Sequence, residues 1–65
     1  MNTYNDLSAE TLATMIVTIN KVIITTTMPT DALIEESLKI YRMMHERVGY
    51  QTAQQLLTVA WAAQQ

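Results

Sequence analysis

The chain of 65 residues has no cysteine, one proline, one glycine and one histidine. Without cysteine there is no disulfide, no thiolate zinc site and no cysteine nucleophile. A single histidine leaves no all-protein zinc shell within one chain. Cations are scarce: Lys21, Lys39, Arg42 and Arg47 stand against six acidic residues, for a net charge of -2. Nucleic-acid binders use a basic face to displace counterions from phosphates, so no nucleic-acid partner is expected. No run of eighteen apolar residues is present, so neither a membrane-spanning helix nor a membrane partner is expected. Met1 to Asp6 lack the positive start of a signal peptide, and a cytoplasmic protein is the expectation.

Catalytic signatures are missing as well. The sequence has no glycine-rich phosphate loop, no HExxH and no GxSxG. Glu35 and Glu36 are adjacent, so on a helix they diverge. Ser37 has no base at helical spacing, because His45 lies two turns away. The expectation is a non-enzymatic protein with no cofactor and no metal.

Length sets the next bound. A chain this short forms one small domain, residues 1–65, and buries only about 60% of the surface it exposes when unfolded. Disulfides, a metal or oligomerisation usually supply what such a core lacks. The first two are missing here, which leaves oligomerisation.

Pro29 and Gly49 cut the chain into three segments, each with a helical pattern. Ser8 is a candidate N-cap, and Leu7 and Leu12 have hydrophobic-staple spacing. From there Leu12, Met15, Ile16, Ile19, Val22 and Ile23 form an apolar stripe, opposite Thr11, Thr14, Thr18, Lys21 and Thr25. The spacing predicts a helix over 8–25, although the β-branched run Val22–Thr27 also suits an extended segment. The second helix is predicted over 31–48, with Thr30 as cap. Its apolar side holds Leu33, Ile34, Ile40, Tyr41, Met44 and Val48, and its charged stripe holds Glu35, Lys39, Arg42 and Glu46. His45 and Arg47 suit its carbonyl end, and Gly49 suits the position after it. The third helix is predicted over 52–64, with Thr52 and Gln55 as a capping box. Ala53, Leu56, Leu57, Ala60 and Trp61 form its apolar face, and glutamines including Gln65 its other face. The predicted class is all-α: a small three-helix bundle, or a helical hairpin plus a third helix, completed by oligomerisation. The patterns leave the handedness open.

Charge is distributed unevenly. Seven of the ten charged residues lie between Asp31 and Arg47, and Lys21 is the one charge between Thr11 and Thr30. The first and third helices present Thr, Gln, Asn and Ala where solvated helices usually carry charge. Interface cores are depleted in charge in this way, although a solvated three-helix monomer has the same composition. The favoured reading is a protein–protein interaction module that self-associates, acting as an adaptor or as an inhibitor that masks a partner protein. Candidate contact residues are Trp61, Leu57, Tyr50, Met43, Ile16 and Ile23. Trp61 serves equally as an interface anchor or as a lid on the core. In size and texture alone, the chain is similar to small accessory proteins of phages and plasmids. Two other functions fit less well: a helix-turn-helix regulator built around Gly49, and an oligomer holding a small ligand between subunits.

Overall fold

In a computed structural model describing residues 3–64, a 3-10 helix, Thr3–Asp6, leads into three α-helices. These are α1 (Ala9–Thr25), α2 (Asp31–Val48) and α3 (Tyr50–Ala63), and no strand occurs among the described residues. Met1, Asn2 and Gln65 lie outside the described residues, and with them part of the N-terminal reading and the last glutamine of the polar face.

Ser8 caps α1 as expected: its side chain accepts from the Thr11 amide at 3.1 Å. Leu7 and Leu12 both join the core, as a staple does. The β-branched run divides. Val22 to Thr25 are helical, whereas Thr26 is extended (φ -88°, ψ 151°) and its hydroxyl accepts from the Met28 amide at 3.1 Å. That hydroxyl contact and Pro29 close the turn before α2.

Two expected caps are not made. Thr30 occupies the cap position of α2, but its backbone is not extended (φ -114°, ψ 6°) and its side chain makes no capping bond. Thr52 and Gln55 do not cap α3, because α3 begins two residues earlier, at Tyr50. Gly49 alone joins α2 to α3. Its amide donates to the His45 carbonyl at 2.9 Å, and its own carbonyl accepts from the Ala53 amide at 3.0 Å. It adopts φ 85°, ψ 166°, a region open essentially to glycine alone, rather than the left-handed cap of a regular helix end.

α1 is the common partner: α2 and α3 each lie along it and touch one another much less. The core therefore gathers on the α1 face between them, at Ala9, Leu12, Ala13, Ile16 and Val17. This face is turned toward Ala13 and Val17 relative to the predicted stripe, and Val22 is left 45% exposed. Ile40 and Met44 enter from α2, Ala53 and Ala60 from α3. Ile34, expected inside, is 42% exposed. Four of the nine core residues are alanines, which lets helices approach closely but buries little apolar area.

Candidate interaction surface

Large apolar side chains that a small bundle would normally hide lie outside. Val22, Ile24, Met28, Ile34, Leu38, Tyr50, Val59 and Trp61 are all exposed, whereas the large side chains buried completely are Leu12, Ile40 and Met44. Of these, Val22, Ile24 and Trp61 line one groove, and it is such grouped apolar surface, rather than single scattered residues, that marks a contact site.

One part of this surface is the seam between α1 and α3. Trp61 separates two grooves. One, of about 280 Å³, is lined by Ile16, Val17, Asn20, Leu57, Thr58 and Trp61. The other, of about 560 Å³, is lined by Thr18, Lys21, Val22, Ile24, Thr25 and Trp61. Lys21 pins the seam. Its ammonium donates to the Gln64 carbonyl at 2.6 Å and lies 5.9 Å from the Trp61 ring centroid. A cation at the carbonyl end of a helix and above an indole face is favoured on both counts. Gln64 Nε2 also donates to Thr18 Oγ1 at 3.1 Å. The threonines on this side donate backward within their own helix: Thr14 to the Glu10 carbonyl, Thr18 to that of Thr14, and Thr25 to that of Lys21, at 2.8 to 3.1 Å. Their donors are thus satisfied internally, and a partner covering this face strands few of them.

A second part lies along α2, on the flank of its buried face. Ile34, Leu38, Tyr41 and His45 follow one another at steps of four, three and four. Ile34 and Leu38 are exposed; Tyr41 and His45 are half-buried. The aromatic half forms a ladder into α3. The His45 ring lies 5.9 Å from that of Tyr41 and 5.6 Å from that of Tyr50, which it meets edge-on. Gln54 Nε2 donates to the Tyr41 hydroxyl at 2.7 Å. The charged stripe of Glu35, Lys39, Arg42 and Glu46 is exposed beside it.

The N-terminal 3-10 helix is clasped to α2. The Tyr4 hydroxyl donates to the Glu36 carboxylate, and the Arg47 guanidinium donates to the Leu7 carbonyl. Arg47 thereby serves the carbonyl end of this short helix as well as lying in the last turn of α2. The hydrogen bond to Glu36 raises the Tyr4 phenol above its ordinary 10.0, with partial burial and the Glu36 charge acting in the same direction.

Of the six residues nominated from sequence, three meet. Ile16, Leu57 and Trp61 line the smaller α1–α3 groove. Ile16, however, is 4% exposed, so it forms the floor of that groove as a core residue and is not a free contact. Tyr50, 61% exposed, belongs to the aromatic ladder. Met43 borders a separate hollow with Asn5, Glu46 and Arg47, and Ile23 is half-buried in the last turns of α1. Sequence reasoning passed over Lys21, Ile24 and Leu38. Lys21 had a legible signal, as the lone charge in a long neutral stretch. Ile34 neighbours the true core positions on the helix, which is why periodicity places it inside; Tyr41, from the same predicted face, is partly buried and does pack against the core.

Among the described residues no group of three His, Cys, Asp or Glu side chains is placed to hold a metal ion, and no helix is long and apolar enough to cross a membrane. No protein-family model, no curated protein and no solved structure matches the chain.

Proposed function

We propose that this protein is a non-enzymatic protein–protein interaction module that self-associates and serves as an adaptor or as an inhibitor masking a partner surface. One observation carries the proposal: large apolar side chains line its exterior while alanines fill much of its core. A core of that kind supplies little of the burial that a chain of this length needs, and contact with further chains supplies the rest. The α1–α3 seam, with Trp61 and Leu57 at its centre and internally satisfied threonines around it, suits helix-face docking. A helix-turn-helix regulator is less well supported, since that motif uses a turn of about three to four residues and here Gly49 alone joins α2 to α3.

Multi-angle light scattering across a range of concentrations tests the self-association. The expected result is a mass that rises to a multiple of 7.4 kDa as concentration increases. A constant monomer mass up to high micromolar concentration would refute it.

A further inference from the structure

We propose that the self-association inferred above, on which this step rests, is made by α2. Two copies lay their α2 helices side by side and antiparallel about a two-fold axis, with Ile34, Leu38, Tyr41 and His45 forming the seam. Steps of four, three and four give the apolar repeat of a two-helix seam, and here they lie on the flank beside the buried positions Ile40 and Met44, with Tyr41 also packed against the core. α2 therefore carries two apolar faces. One is spent on α1; the other is partly covered, at its C-terminal half only, by Tyr50 and Gln54.

The occupant is a second copy because the stripe is its own complement. Its first half is aliphatic and uncovered, at Ile34 and Leu38; its second half is aromatic, at Tyr41 and His45. Antiparallel pairing lays each aliphatic half over the other copy's aromatic half. Charge selects the same arrangement. Glu35 and Arg42 each follow a seam residue by one position, so they share a flank, and both are exposed. In a two-fold antiparallel pair that flank faces itself, which brings Glu35 toward the partner's Arg42 and Arg42 toward the partner's Glu35. A parallel pair would set the same charges against the opposite flank, which holds Ser37 and Met44 and offers no counter-charge.

Charge reversal tests the pairing. The variants are Glu35→Arg, Arg42→Glu and the double variant, with dissociation constants measured by sedimentation equilibrium. Each single change places like charges together twice per dimer and is expected to raise the dissociation constant ~10-fold or more. The double variant is expected to return it close to the parent value, and mixing the two single variants is expected to restore dimer mass. Leu38→Ser reads the same seam without charge and is expected to weaken it too. All three positions are exposed, so the changes remove no packing inside a single copy, and helical circular dichroism recorded at the same concentrations separates loss of pairing from loss of fold. If the parent dimerises and neither the single reversals nor Leu38→Ser changes its constant, the α2 pairing is wrong and self-association stands. A parent that stays monomeric throughout overturns both.

Discussion

Tyr4 and Trp61 show how single side chains hold the edges of this small fold. Tyr4 ties the N-terminal 3-10 helix to α2 through Glu36, and the same hydrogen bond keeps its phenol protonated above the ordinary 10.0. The sign of the resulting pH dependence follows. A group whose value is raised on folding contributes its full stability below 10.0 and loses it as pH climbs through the raised value. Urea unfolding on either side of pH 10 is expected to show a steeper alkaline loss in the parent than in Tyr4→Phe; superimposable curves would remove Tyr4 from the account. Trp61, 38% exposed, stands as a ridge between two grooves and is steadied by Lys21. Only the packing of α3 on α1 puts Lys21 there, 40 residues away in sequence from Trp61.

At the scale of elements, the helices were legible because helix signals are local. Ser8 and the periodic stripe mark the start of α1, and α2 has the boundaries its charges and caps announce, Asp31–Val48. The caps that failed have different causes: Thr30 precedes its helix but is not extended, as a capping residue typically is, whereas Thr52 lies inside α3, which begins at Tyr50. Three substitutions separate these cases in thermal or urea unfolding. Ser8→Ala loses a bond that is made, at a cost of about 1 kcal/mol. Thr30→Ala loses none and is expected to stay within ~0.5 kcal/mol of the parent. Gly49→Ala leaves the added methyl in open space, yet forces φ 85°, ψ 166° on a residue that resists it, at about 1–3 kcal/mol. A Thr30→Ala loss equal to that of Ser8→Ala would contradict the assignment of caps.

At the scale of the whole molecule, the chain is a slab rather than a ball. Its extents are 33 × 31 × 17 Å, and its radius of gyration is 11.7 Å where a compact chain of this length has about 11 Å. Helices are 10–12 Å across with their side chains, so a body this thin leaves most of them with one side uncovered. On the proposal that association covers those sides, stability depends on concentration. The unfolding midpoint is expected to rise by ~3 °C or more for each tenfold increase in protein concentration, read by calorimetry. A midpoint independent of concentration would mean that the slab is stable alone.

Sequence by itself determined the three helices, the break at Gly49, the neutral character of α1 and α3, and the charged stripe of α2, because propensity, periodicity and charge are properties of neighbouring residues. Tertiary structure decided how far round each helix the core extends. The predicted apolar faces already held Leu12, Ile16, Ile40, Met44, Ala53 and Ala60, whereas the junction of α1 with α2 and α3 added Ala9, Ala13 and Val17. Ile34, Leu38 and Ile24 stay outside, and that exposed apolar surface is a product of how three helices share one small space.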